Sequence, residues 1–141
     1  MDIPDPHSVQ EEFGPGIIRE WLYGGKIMAI TAESSTKETV DLWTKALSET
    51  IEQWPDDRPY LVLIDTSKSV LTPYVRQQAM HLASLRPDLD GRAAIVVAAT
   101  TIGQLTRFFV TNRLNQANPT RERRVFFTRE TALAWLEAAM Q

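Results

Sequence analysis

Two apolar runs, each the length of a β-strand, constrain the fold of this chain more than any other feature. They predict strands at residues 60–65 and 93–99, and nearly every position in both is apolar. Such continuous runs are typical of strands buried on both faces of a sheet. Each run leads into a helix signal, Thr72-Pro73 after the first and a capping box beginning at Thr101 after the second. Strands that alternate with helices predict a parallel sheet with right-handed crossovers.

The start of the chain is organised differently. Residues 1–15 contain prolines and acids with little periodicity, and we expect a loose N-terminal arm there. Gly24-Gly25 separates two β-rich stretches, 17–23 and 26–32, and predicts the tight turn of an antiparallel hairpin. The chain is therefore predicted to consist of the arm, 1–15, and a single domain, 16–141.

The remaining elements are predicted from caps and helical spacing. Ser35 and Glu38 fit a capping box, and the helix that follows is stopped by Pro55. Its apolar stripe consists of Val40, Trp43, Leu47, Ile51 and Trp54. The third helix is expected to point Ile102, Leu105, Phe108 or Phe109, and Leu114 toward the core. A short last strand is predicted at 124–127, and Thr128 is predicted to cap the last helix.

These elements follow the order ββαβαβαβα and place the chain in the α/β class. We expect a mixed, mostly parallel sheet of about five strands, opened by the hairpin, with four helices mainly on one side. A chain of 141 residues is long enough to build one core without disulfides or metals.

Composition and charge narrow the functional classes. The chain has no cysteine, which excludes disulfides and suits a reducing compartment, so we expect a cytoplasmic protein. No stretch approaches the ~20 apolar residues of a membrane span, and a net charge of −3 argues against a nucleic-acid binder. Residues 1–70 carry a net charge of −7 and residues 71–141 a net charge of +4, with arginine as the only basic residue in the second half. Either the two halves complement each other, or the arginines hold anions.

No catalytic constellation is evident. His7 and His81 lack neighbours at metal-ligand spacing, and the sequence contains no P-loop, nucleophile elbow or dinucleotide-binding glycine motif. We therefore predict no catalytic residue, no metal and no cofactor. A role for Asp65 as a base is the enzymatic alternative, although no second carboxylate is near it in sequence.

The carboxyl ends of the two buried strands form the predicted binding rim. Ligands of open α/β sheets bind beyond these ends, where helix N-termini offer free N–H groups. The predicted rim consists of Asp65, Thr66, Ser67, Ser69, Thr72, Thr100 and Thr101. Its hydroxyls suit an anionic ligand. Thr72 and Thr101 are also explained as helix caps, and Asp65 as an acceptor for the loop that it enters.

Arginines also cluster before the last strand, at Arg121, Arg123 and Arg124, with Arg107 and Arg113 on the preceding helix. Without interleaved aromatic residues the cluster does not indicate a nucleic-acid platform. We interpret it as a solvated face.

The pattern resembles the STAS-like domains, the fold of the sporulation anti-anti-sigma factor, and especially the SpoIIAA-like branch of small bacterial proteins. The resemblance covers about residues 16–140. It rests on the hairpin, the strand Tyr60-Leu-Val-Leu-Ile-Asp65 with its Thr/Ser loop, the strand Ala93 to Ala99, and the ending from Arg124 to Leu136.

The resemblance implies binding and not catalysis. Its first implication is a homodimer that binds a protein partner. Similarity of the branch to the lipid-binding SEC14 fold implies a small anionic or lipid-like ligand as the alternative, and a small enzyme ranks third. True anti-anti-sigma factors carry an Asp-Ser-Ser/Thr-Gly motif with a phosphorylated serine, whereas residues 71–74 here are Leu-Thr-Pro-Tyr. Thr72 is therefore the only hydroxyl at the matching cap, and the resemblance does not carry the phosphorylation switch over.

Overall fold

One mixed sheet organises the chain in the computed structural model, which describes residues 9–140. Its strands lie side by side in chain order: β1 (Gln10–Gly14), β2 (Ile17–Leu22), β3 (Ile27–Ala32), β4 (Tyr60–Asp65), β5 (Gly91–Val96) and β6 (Arg121–Phe126). The β1–β2 and β2–β3 pairs are antiparallel, and β3 to β6 are parallel. The predicted α/β class and the opening hairpin are confirmed.

Helices follow the strands as the sequence pattern predicts. They are α1 (Lys37–Gln53), α2 (Pro73–Ser84), α3 (Thr101–Phe109), α4 (Asn115–Ala117) and α5 (Arg129–Glu137). A π-helical turn, Val110–Leu114, joins α3 to the single turn of α4. Four helices of more than one turn are therefore present in the described part of the chain, as expected.

The sheet has one strand more than the sequence suggests, because residues 10–14 of the predicted arm form the edge strand β1. Gln10 lies opposite Glu20, and Phe13 packs against the main core. The guanidinium of Arg19 lies 4.9 Å from the centre of the Phe13 ring and also binds Glu11. An edge strand needs few apolar residues, which is why its polar sequence reads as a loop. Residues 1–8 of the arm lie outside the described residues, and the division at residue 15 stays a prediction.

The core has two layers, one on each face of the sheet. On one face, α1, α2 and α3 cover the side chains of alternate strand positions such as Met28, Val62 and Ile95. On the other face, α5 places Ala132 and Leu136 over Leu61, Leu63 and Ala94. The expected arrangement of helices mainly on one side is thus confirmed. Residues 60–64 of β4 and 93–96 of β5 are all apolar because both faces of these strands are covered.

Helix caps agree with the sequence at α2 and α5 and differ by one residue at α1 and α3. Thr72 and Thr128 accept hydrogen bonds from the amides of Val75 and Thr131. The cap of α1 is Thr36, not Ser35, and the cap of α3 is Thr100, not Thr101. In both cases the capping oxygen reaches the amide three residues ahead, which only the residue in extended conformation can do. The Oγ atom of Ser35 instead accepts from the Val70 amide at 2.9 Å.

The arginines before the last strand are mostly buried, so their interpretation as a solvated face is wrong. Strand β6 begins three residues earlier than predicted, and its alternation turns Arg121 and Arg123 inward while Glu122 and Arg124 stay exposed. Arg121 is 1% exposed, and its guanidinium donates to five backbone carbonyls around the end of α2. Helix carbonyls without internal partners are good acceptors for such a cation.

Candidate functional site

The carboxylate of the predicted rim is held by its own loop. Asp65 ends β4, and its Oδ1 accepts from the amide of Ser67 at 2.9 Å and from the Ser67 hydroxyl at 2.7 Å. This turn is the role that the sequence assigned to Asp65 as a structural residue.

The other rim hydroxyls also make local bonds. Thr66 donates from both its amide and its hydroxyl to the carbonyl of Val96, which joins the ends of β4 and β5. Ser69 reaches the carbonyls of Ala32 and Ser34 at 3.5 and 3.4 Å. Thr72 and Thr100 are caps, and Thr101 is the exposed first residue of α3. A ligand at this rim stays a prediction, since these bonds already explain the hydroxyls.

Behind the rim, the face of the sheet covered by α1, α2 and α3 encloses an apolar cavity of about 90 Å³. Its walls include Val62, Ile95, Ala79 and Phe109, and Arg121 and Arg123 border it as well. A second space of about 50 Å³ lies beside it, and Thr66 and Ser69 of the predicted rim border this smaller space. The rim thus lies at the edge of a largely apolar interior.

Trp43 carries a buried polar group of this region that has no hydrogen-bond partner. The side chain is 8% exposed and borders both the larger and the smaller cavity. Its indole Nε1–H finds no hydrogen-bond acceptor among residues 9–140. Buried indole N–H groups normally have a partner, so an unpaired one beside a cavity marks a place where an acceptor would be stabilised. The sequence did not predict the unpaired indole, because two tryptophans on one apolar stripe of a helix are most simply explained as core residues.

The outer surface of α2 and α3 forms a groove of about 670 Å³. Ile102 and Leu105, which were expected to point inward from α3, line it instead, together with Phe108; the three are 44%, 59% and 68% exposed. The prediction is wrong for Ile102 and Leu105. Of the alternatives Phe108 and Phe109, Phe109 is the buried residue, and Leu114 is buried as expected. Val70, 49% exposed, belongs to the same groove. The helix is apolar on two faces, so its pattern alone does not tell which face meets the core.

Charge around this groove has one sign. Arg76 and Arg113 line the groove, and both are exposed. Neither α2 nor residues 101–117 contains an aspartate or glutamate, although the whole chain has 18 of them. Part of the positive charge that the sequence shows in the second half therefore lies in the buried Arg121 and Arg123 of β6, and another part lies at the edge of this groove.

Burial lowers the pKa of Arg121 and Arg123, the two arginines of β6 whose side chains point inward. Loss of hydration lowers the pKa of Arg121, although the nearby Tyr60 opposes the shift. For Arg123, burial and then the charge of Arg121 lower the pKa to about 10. Both groups remain charged at neutral pH and hold carbonyl oxygens. They serve as internal anchors and not as an anion site.

Two features are absent from residues 9–140: a cluster of metal ligands and a membrane-spanning helix. From residue 9 to residue 140, no histidine, aspartate and glutamate side chains gather in threes at distances that suit a metal ion. Within the same stretch, no helix has the length and hydropathy needed to cross a membrane.

Comparison with solved structures shows which fold the chain resembles. No protein-family model matches the chain, and no curated protein matches it. A crystal structure at 2.25 Å of an uncharacterized DUF3478-family protein with a SpoIIAA-like fold, from Shewanella loihica PV-4, is similar with a TM-score of 0.56. The likeness covers 78% of this chain and 83% of that one, at 21% sequence identity. The fold is SpoIIAA-like. The resemblance inferred from the sequence is confirmed for the fold of this SpoIIAA-like domain, and the similarity to SEC14 stays a prediction.

Proposed function

We propose that this SpoIIAA-like domain is a non-enzymatic module that binds a protein partner through the groove between α2 and α3. One observation carries the proposal: four large apolar side chains, Val70, Ile102, Leu105 and Phe108, are 44% to 68% exposed in a single groove. Contiguous exposed apolar surface on a small domain typically marks an interaction site.

The loop and helix that present these side chains are held firmly, which supports a preformed surface. Val70 is fixed by the bond from its amide to the Ser35 hydroxyl, and α3 is fixed by its Thr100 cap and by the buried Phe109. A surface that is ordered before binding loses less conformational entropy on association.

A photo-crosslinking amino acid at position 105 tests the proposal in cells that make the protein. We expect one partner to crosslink at this position and to be lost when Phe108→Glu is introduced. Phe127→Glu is the matched control, because Phe127 is also exposed, at 40%, and lies outside the groove. A partner that crosslinks equally in the Phe108→Glu and wild-type proteins would refute binding at this groove.

The proposal includes the setting expected from the sequence. We place the protein in the bacterial cytoplasm, which its lack of cysteine suits, and we expect a homodimer whose interface leaves the groove open. Sedimentation equilibrium of wild-type protein and of Phe108→Glu checks the second point, since both should have the same mass.

A second candidate function is the binding of a small, mainly apolar molecule that carries one hydrogen-bond acceptor. The observation in its favour is the unpaired Nε1–H of Trp43 beside the cavity of about 90 Å³. That cavity is somewhat smaller than the ~150 Å³ apolar cavity that takes up benzene. An acceptor placed against the indole would satisfy a donor that is otherwise buried without a partner.

Pyridine and benzene test this candidate, because they have nearly the same size and differ in one ring nitrogen that accepts a hydrogen bond. We expect pyridine to raise the melting temperature more than benzene in the wild type, and the two to act equally in Trp43→Phe. A ligand at 100 times its dissociation constant adds ~2.7 kcal/mol of stability. Equal effects in the wild type would exclude a role for the indole donor.

A further inference from the structure

The side chains that line the groove between α2 and α3 recur at helical spacing along each helix. From α2 it receives Pro73, Arg76, Gln77 and Met80, which recur at positions i, i+3, i+4 and i+7. From α3 it receives Ile102, Leu105 and Phe108, each three residues apart. Two rows of this kind on either side of one groove leave a trough that a third helix can fill.

The walls are helices, so they expose side chains and no unpaired backbone groups along their length. A strand added at this surface would find no ladder to join, because the internal N–H and C=O groups of a helix bond to each other. An α-helix satisfies its own backbone groups and therefore suits this surface.

The positive charge around the groove favours an occupant that carries negative charge. Arg76 and Arg113 line it, Arg107 is exposed on the same helix as Leu105, and α2 and residues 101–117 contain no acid. Acidic side chains flanking an apolar stripe would be attracted by these arginines, whereas a basic helix would be repelled.

We propose that the occupant of the groove is an acidic amphipathic α-helix of the partner protein, a proposal that rests on the proposed function. On α3 the exposed row from Ile102 to Phe108 spans about 9 Å along the helix axis. Apolar residues at i, i+4 and i+7 of a docked helix span about 10.5 Å, so two turns of the partner match the row.

Two synthetic peptides of 16 residues provide the probe. Both carry leucines at i, i+4, i+7 and i+11 on an alanine background, and one has glutamates beside the stripe where the other has lysines. Fluorescence anisotropy in 50 mM salt should show at least tenfold tighter binding of the acidic peptide, and the ratio should shrink in 0.5 M salt as the charges are screened.

Charge reversal in the protein should invert the preference. With Arg76→Glu and Arg113→Glu together, we expect the lysine peptide to bind more tightly than the glutamate peptide. Lys45→Glu, an exposed change on α1 outside the groove, should leave the tenfold ratio unchanged. Phe108→Glu should abolish binding of both peptides, with its melting curve confirming that the variant is folded.

The outcomes separate this inference from the proposed function. Equal binding of both peptides, lost in Phe108→Glu, would overturn the acidic helix while leaving a partner-binding groove. Crosslinking of a partner at position 105 without binding of either peptide would do the same. Two other results would overturn the inference: binding through Phe108 to phosphatidylglycerol-containing vesicles but not to the acidic peptide, or a wild-type dimer that Phe108→Glu dissociates. Absence of both crosslinking and peptide binding in the wild-type protein would refute the proposed function itself.

Discussion

Arg121 offers the sharpest test of how this fold is held together. Its side chain is 1% exposed, and its short hydrogen bonds go to carbonyls and not to carboxylates: Arg86 at 2.7 Å, Leu89 at 3.0 Å and Leu85 at 2.7 Å. Replacing Arg121 by methionine removes these bonds, which lowers the free energy of unfolding. It also removes the cost of burying a charged guanidinium, which raises the free energy of unfolding. Crediting about 1 kcal/mol net for each short bond, we expect Arg121→Met to lower the free energy of unfolding by about 3 kcal/mol.

That loss corresponds to a fall in melting temperature of about 10 °C for a domain of this size. Urea unfolding followed by circular dichroism measures it directly. Arg124→Met is the matched control, since Arg124 lies on the same strand with a side chain 53% exposed. It loses only an ion pair to Glu122 and a cation–π contact with Trp135, so its removal should cost about 1 kcal/mol. A stability of Arg121→Met within 0.5 kcal/mol of the wild type would show that the dehydration cost cancels the bonds, as happens for some buried ionic groups.

Three further changes probe the caps, a close approach and a buried phenol, each by urea unfolding. Thr100→Ala should cost about 1 kcal/mol and Thr101→Ala less than ~0.5 kcal/mol, whereas the reverse order would restore Thr101 as the cap. Gly103→Ala should be strongly destabilising, because its Cβ would lie 1.9 Å from the carbonyl oxygen of Ala98. Gly24→Ala should cost only about 1 kcal/mol, for the positive φ of that residue. Equal costs of the two changes would contradict the predicted clash at Gly103. Burial raises the pKa of Tyr60 above its ordinary value of 10.0, so its contribution is complete below pH 10 and is lost as the pH rises further. Tyr60→Phe should therefore lose less stability between pH 8 and pH 10.5 than the wild type, and identical losses would exclude this effect.

The sequence predicts the interior of the sheet well and its edges poorly. Strand β4 was predicted with the bounds that the structure shows, 60–65, because residues buried on both faces leave a continuous apolar run. Strand β1 was missed and β6 was shortened, since both lie at an edge and carry charged residues. For β6 the charges are arginines whose partners are carbonyls of other segments, and no local pattern reveals such long-range acceptors.

The candidate sites show the same limit. Hydroxyls at the strand ends are visible in the sequence, but their bonds to distant segments, such as that of Thr66 to the carbonyl of Val96, appear only in the fold. On α3, Ile102 and Leu105 were wrongly assigned to the core. The sequence left Phe108 and Phe109 as alternatives because they are adjacent and equally apolar, and only the packing decides that Phe109 is buried. The unpaired indole of Trp43 likewise depends on distances that sequence cannot supply.

The buried arginines and the exposed groove are parts of one arrangement. From neighbouring positions on the same face of β6, Arg121 binds the carbonyls at the end of α2, and Arg123 binds those of Leu114 and Asn118 at the end of the α3–α4 segment. Asn118 completes the link, because its amide donates to the carbonyl of Ala83 in α2. One strand thus fixes, at one end, the separation of the two helices whose side chains line the groove. Burial therefore separates two groups of arginines: Arg121 and Arg123 on β6 set the spacing of the groove walls, and the exposed Arg76, Arg107 and Arg113 set the charge that an incoming segment meets.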